Sequence, residues 1–192
     1  MLKHHRHFII YKPYGFLSQF INNQTKRKKK LLGELYDFPD KTMAIGRLDV
    51  KSEGLLLLTT DGKVSDFITT RGNIEKEYYV QVNGEITQDK IVTLKNGVEI
   101  GFDGKKYITK KCKVSLIEIP DFPERTRKIR DDRHGPTSWI SITLTEGKFR
   151  QVRKMTAAVG FPTLRLVRVR IGNIKLNLPV GKVIETTLLE DL

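Results

Sequence analysis

The chain has 192 residues, a formal net charge of +13 and 39% hydrophobic residues. That composition excludes a disordered chain, and the length suits one core or two small lobes sharing one. No apolar run approaches 18 residues, which excludes a spanning helix, and the surplus of cations implies a polyanionic partner, either nucleic acid or an anionic membrane surface.

From the N-terminus, Met1 to His7 is basic but is followed only by Phe8-Ile9-Ile10-Tyr11, so no signal-peptide core is expected and the chain reads as cytoplasmic. His4, His5 and His7 could ligate a metal, but without carboxylate or cysteine partners nearby they read as an N-terminal fringe. Phe8 to Tyr11 is a first strand, ended by the turn signal Lys12-Pro13-Tyr14-Gly15. Residues 22–30 end in Lys26, Arg27, Lys28, Lys29 and Lys30, five successive cations with no apolar anchor. They form an exposed loop, either a merely solvated face or, as the overall charge favours, a contact for nucleic-acid phosphates. A short helix through Leu31, Leu32 and Leu35 follows and ends before Pro39.

Met43-Ala44-Ile45 and Leu55 to Thr59 are predicted strands flanking a loop, Gly46 to Gly54, that carries Arg47, Asp49, Lys51, Ser52 and Glu53. The four leucines Leu55 to Leu58 read as a buried strand, so the loop is tied to the core and Asp49 with it. On its own such a carboxylate is most simply a solvated turn residue. Asp61-Gly62 is a turn, and Val64, Phe67 and Ile68 recur at helical spacing up to Gly72. In the strand Glu77 to Val82, alternation puts Tyr78, Val80 and Val82 on one face and Tyr79 and Gln81 on the other. Thr87 is the expected N-cap of a helix with Ile91 and Leu94 inward.

From Gly97 the reading is β-rich. Val98 to Ile100 and a turn at Phe102 to Lys105 predict a hairpin, and Lys113 to Ile119 predicts a long alternating strand. Residues 120–137 hold three prolines among Arg, Lys, Asp and His and read as a loop or insertion, a second segment that could face RNA. Trp139 to Leu144 is a strand. A helix through Val152, Met155, Thr156 and Val159 closes near Gly160, with Arg150, Arg153 and Lys154 on its polar flank. Thr163 to Ile171 alternates imperfectly, with arginines on both faces, which twist or a bulge could accommodate. Leu178 to Lys182 is a turn, and Thr186 to Leu192 is either a short helix or a frayed end. The single cysteine, Cys112, excludes an intrachain disulfide and a cysteine-based zinc cluster and reads as a small core filler. There is no phosphate loop, dinucleotide glycine fingerprint, HExxH or seryl nucleophile elbow, so neither a metal nor a nucleotide cofactor is expected.

Four polar residues with apolar flanks remain: Arg47 and Asp49, Tyr78, and Arg153. A carboxylate beside a cation can stay ionised in a cleft, because the opposite charge offsets desolvation. A tyrosine offers a base an aromatic plane, and arginine pairs with carboxylate or phosphate. Composition leaves open whether this is a base-modifying site or plain RNA binding.

Three stretches carry a resemblance. Gly46-Arg47-Leu48-Asp49, with Ser52-Glu53-Gly54-Leu55-Leu56, is similar to the signature of the RsuA-type ribosomal pseudouridine synthases. Lys76 to Val80 resembles their second motif and Glu146 to Met155 their third, in the same order. Thr156 to Leu166 and the proline-rich insertion before Trp139 resemble the large-subunit pseudouridine synthase E group. The resemblance implies an α+β pseudouridine synthase fold, a mixed or antiparallel central sheet with flanking helices and a central catalytic cleft. It implies one catalytic domain over 1–192, with subdomains near 42–96 and 1–41 plus 97–192, and no S4 domain. It implies isomerisation of uridine to pseudouridine in 23S ribosomal RNA, in a stem-loop of the large subunit, by a monomer that uses no cofactor and no membrane. The catalytic aspartate falls on Asp49, the tyrosine that packs on the base on Tyr78, and the basic partner of the aspartate on Arg153. Arg47 matches a residue that can fill the stack left by a flipped nucleotide; Lys26 to Lys30, Arg150 and Lys154 would supply RNA grip. The alternative is a non-catalytic ribosomal RNA-binding or ribosome-assembly protein on the same scaffold, against which the joint presence of Asp49, Tyr78 and Arg153 argues.

Overall fold

The computed structural model describes residues 5–22, 29–71, 73–129 and 132–187. In chain order the elements are strand β1 (His7–Lys12), β2 (Met43–Ala44), β3 (Glu53–Thr59), helix α1 (Gly62–Asp66) with a π-helical turn after it (Phe67–Arg71), and β4 (Lys76–Asn83). Helix α2 (Gln88–Asn96) leads to β5 (Glu99–Phe102), β6 (Lys105–Ile108), β7 (Lys113–Ile117) and β8 (Thr137–Leu144). Helix α3 (Gln151–Ala158), β9 (Thr163–Ile171), β10 (Ile174–Lys175) and β11 (Val183–Thr186) complete the chain. The chain forms two compact units, residues 1–74 with 168–192, and 75–167, and β9 runs from the second into the first. The expected subdomains do not coincide with these units.

In the first unit β1 lies between β11 and β3, antiparallel to both, and β2 adds to β3. Both β1 and β3 are buried along their whole length. This is the physical content of the apolar runs Phe8 to Tyr11 and Leu55 to Leu58: an internal strand buried on both faces needs no polar alternation. Ile9, Ile45, Leu55, Leu57, Ile68, Ile171 and Ile174 form its core. The single helix expected from Val64 to Gly72 is two pieces, α1 capped by the Asp61 carboxylate on the Lys63 N–H at 2.8 Å, then the π-helical turn. The wider turn buries Ile68 and leaves Phe67 exposed, where regular helical spacing put both inward. Thr186, the first residue of the expected closing helix or frayed end, instead ends strand β11, paired with His7 of β1; residues 188–192 lie outside the described residues.

In the second unit β8 lies between β4 and β7, antiparallel to both. Val80, Val82, Ile140, Ile142 and Leu144 meet Ile91 and Leu94 of α2 and Val152 and Met155 of α3. The alternation predicted for β4 holds, with Tyr78 packed at the edge of this core. β8 is buried on both faces from Trp139 on, and Phe122 of the insertion covers the Trp139 end of its back face, with the ring centres 5.9 Å apart. β7 stops at Ile117, and Leu116 and Ile119 are exposed, so the expected long strand is shorter. Thr87 is the N-cap of α2, but its hydroxyl donates to the Asp89 carboxylate instead of capping a backbone N–H. β5 and β6 form a separate two-stranded hairpin. Gly97 makes the entry to it possible: its φ is +103°, and a Cβ there would sit 2.3 Å from the Thr109 carbonyl oxygen.

Candidate active site and its relatives

The loop between β2 and β3 is held at several points. Gly46, at φ +67°, turns the chain out of the first unit's core. Leu48 is buried, and its peptide is clamped by the buried Ser18 hydroxyl, which accepts from the Leu48 N–H at 3.0 Å and donates to the Leu48 carbonyl at 2.9 Å. The Ser52 N–H donates to the Asp49 carbonyl at 2.9 Å, and the Gly15 N–H to the Val50 carbonyl at 2.8 Å. Asp49 is therefore half-buried on a loop fixed before and after it, while Arg47 is exposed.

Beneath the loop lies a charge cluster that sequence reasoning missed. Lys12, taken as part of a turn signal, is fully buried at the end of β1. Its Nζ donates to the carbonyls of Pro13 at 2.9 Å and Phe16 at 2.8 Å. Burial pushes its ammonium down to about 7; the carboxylates of Glu53 and Asp49 pull in the opposite direction, and Arg168 adds to the lowering. Glu53 and Arg168 are buried too, and Arg168 Nε donates to the Leu55 carbonyl at 2.7 Å. The signal available in the sequence was a lysine closing a wholly apolar run and a glutamate opening another, both at positions where a strand has no solvated face.

In the second unit Tyr78 is half-buried and pairs in register with Ile142 of β8. α3 carries Arg153 and Lys154, both half-buried, and Arg150 is its exposed N-cap in a left-handed conformation at φ +53°. Lys154 Nζ donates to the Gly101 carbonyl at 2.6 Å and lies 5.4 Å from the centre of the Phe149 ring. A second residue was overlooked here. Glu146 accepts from the Tyr107 hydroxyl at 2.5 Å, the Lys110 N–H at 2.8 Å and Gln151 Nε2 at 2.6 Å, and so ties the hairpin to the start of α3.

The other cations divide. Lys26, Arg27 and Lys28 lie outside the described residues; Lys30 is exposed with its Nζ 5.3 Å from the Phe16 ring centre, and Lys29 is half-buried. The arginines of β9 do not make a solvent face: Arg165 is buried, stacks on Phe122 at 5.4 Å and donates to the Pro123 carbonyl at 2.9 Å. His7 is buried in β1 with Nδ1 2.9 Å from Thr59 Oγ1, rather than part of a terminal fringe, and His4 lies outside the described residues. Among the described residues no group of three metal-ligating side chains converges, and no helix is long and apolar enough to cross a membrane. Cys112 packs against the second core, where burial pushes its thiol up to about 11, away from nucleophilic use at neutral pH.

Comparison with known proteins places these features. The family model described as RNA pseudouridylate synthase matches residues 6–158. The chain is 40% identical to the ribosomal large subunit pseudouridine synthase E of Vibrio parahaemolyticus, over 91% of this chain and 71% of that protein. It is 41% identical to the protein of the same name from Xanthomonas axonopodis pv. citri, over 88% and 87%. A crystal structure of a pseudouridylate synthase superposes with a TM-score of 0.75 at 27% identity, covering 98% of this chain and 73% of that one. The α+β expectation is thereby met, with antiparallel sheets and flanking helices in the arrangement of that fold. The fold, the three ordered motifs and the identity to these relatives together make the chain a member of the RNA pseudouridylate synthase family, and by that membership an RNA-modifying isomerase.

Proposed function

We propose that this enzyme converts one specific uridine of large-subunit (23S) ribosomal RNA, in a stem-loop, to pseudouridine, acting as a cytoplasmic monomer. The relatives at 40 and 41% identity bear the name of ribosomal large subunit enzymes, which supports the substrate class. The observation that carries the mechanistic part is the mounting of Asp49 on a loop clamped by Ser18 and backed by β3. A carboxylate that must meet a sugar or base at bonding distance gains from such fixing, since a small misplacement costs orders of magnitude in rate.

In this reading the C1′–N1 glycosidic bond breaks, the uracil turns while bound, C5 joins C1′ and gives up its proton, and N1, freed from the sugar, ends protonated. Asp49 either adds covalently or removes the C2′ proton. Tyr78 packs on the base, and Arg153 pairs with Asp49 and keeps it charged. Flipping the nucleotide out costs a few kcal/mol, about what one stacked aromatic and a few phosphate contacts return. Arg47, Arg150, Lys154 and the Lys26 to Lys30 run supply those contacts.

Because C5 gives up its hydrogen, RNA tritiated at uridine C5 reports turnover by release of tritium to water. Wild type is expected to release one tritium per target RNA and Asp49→Asn none. Arg153→Ala is expected to lower release on RNA bound equally well. Equal release by Asp49→Asn and wild type would remove Asp49 from the chemistry.

A further inference from the structure

The hairpin β5–β6 is poorly suited to stand alone. Two strands have too little apolar face to be stable in water, yet this pair is pinned by Glu146 through the Tyr107 hydroxyl and the Lys110 N–H, and by Lys154 on the Gly101 carbonyl. Lys148 adds a third tie, its Nζ 4.9 Å from the Phe102 ring centre and 5.0 Å from that of Tyr107. What this fastening displays is unusual for a surface. Lys105, Lys106, Lys110 and Lys111 are all exposed. Beside them in the turn before α3, Phe149 is 67% exposed and Arg150 is exposed. Lys106 has one carboxylate partner, Glu99 at 3.0 Å, but both side chains are more than half exposed and such a pair yields readily to another anion.

An exposed phenylalanine among cations has little reason to exist as a solvated face. Lysines alone would serve solubility; a flat apolar ring among them serves a polyanion that also has flat apolar rings. We propose that the hairpin and the turn before α3 form an RNA-docking surface, in which Lys105, Lys106, Lys110 and Lys111 neutralise backbone phosphates and Phe149 stacks on an unpaired base. This deepens the proposed function and rests on it only for the kind of RNA bound. Glu146 then has a positioning role, since it fixes this surface to the helix that carries Arg153.

The test compares two full-length variants that each remove four positive charges: Lys105→Gln/Lys106→Gln/Lys110→Gln/Lys111→Gln on the hairpin, and Lys41→Gln/Lys63→Gln/Lys175→Gln/Lys182→Gln elsewhere. Retention of a deproteinised large-subunit ribosomal RNA transcript on filters is measured against salt. The hairpin variant is expected to bind more weakly, with a log–log salt slope smaller by about 3, and the other variant to keep the wild-type slope. Phe149→Ala is expected to lose about tenfold in affinity with the slope unchanged. Equal losses in the two lysine variants, meaning diffuse attraction only, would overturn the proposal, as would wild-type binding by both the hairpin variant and Phe149→Ala. Because the readout is binding, a wild-type enzyme that retains RNA yet releases no tritium would overturn the proposed function while leaving this surface standing.

Discussion

At the scale of single residues, the first unit sets a buried lysine under a half-buried aspartate. Lys12 spends its hydrogen bonds on two backbone carbonyls and faces Glu53, Asp49 and Arg168. Its pKa lies well below the ordinary lysine value of 10.5, at about 7, because burial penalises the ammonium more than the carboxylates favour it. The unfolded chain therefore binds the extra proton between about pH 7 and 10.5. Stability gained from this group rises with pH across that window, by at most about 1.4 kcal/mol per unit, and is lost as pH falls through 7. Urea unfolding of wild type at pH 7 and pH 9 is expected to show this rise, and Lys12→Met to flatten it. A wild-type rise no larger than that of Lys12→Met would mean that Lys12 keeps its proton in the folded enzyme.

At the scale of elements, loop and strand depend on one another. Ser18→Ala removes both bonds to the Leu48 peptide and leaves a buried N–H and carbonyl unpaired, a loss of about 1–3 kcal/mol. Since the same bonds aim Asp49, kcat is expected to fall in single-turnover experiments while the affinity for RNA is kept. Leu57→Ala, in a fully buried position of β3, is expected to cost about 2–5 kcal/mol by denaturant titration. The leucine run was legible as a strand because four adjacent apolar residues fit an internal strand and no amphipathic helix. Other elements resisted reading for physical reasons. The helix from Val64 broke into an α and a π segment because Ile68 is drawn inward at the cost of Phe67, a tertiary preference that spacing does not record. The β9 arginines broke the alternation by falling on both faces, and the reason is tertiary: Arg165 finds a ring and a carbonyl in a loop more than forty residues earlier in the chain. Long-range partners of that kind satisfy a buried cation without leaving a local pattern.

At the scale of the whole molecule, function was more legible than packing. The three motifs around Asp49, Tyr78 and Arg153 identify the family because they stand in order, and the family model spans them all. Lys12, Glu53, Arg168 and Glu146 stayed hidden although Glu53 and Glu146 lie inside the family motifs, since their roles are to hold other residues and depend on burial. The net charge of +13 has a similar history: it announces a polyanion, while the structure assigns some cations to the interior and others to the surface. The surface lysines of β6 and the segment after it outnumber the acidic residues of the hairpin, Glu99 and Asp103. RNA affinity is accordingly expected to fall steeply with salt, with a log–log slope that counts phosphate contacts.

Asp49 is proposed to drive isomerisation of one ribosomal uridine. The direct measurement is chemical mapping of pseudouridine across large-subunit ribosomal RNA taken from a strain lacking the enzyme and incubated with purified protein. One new pseudouridine is expected with wild type and none with Asp49→Asn. No new pseudouridine with wild type, or the same one with Asp49→Asn, would contradict it.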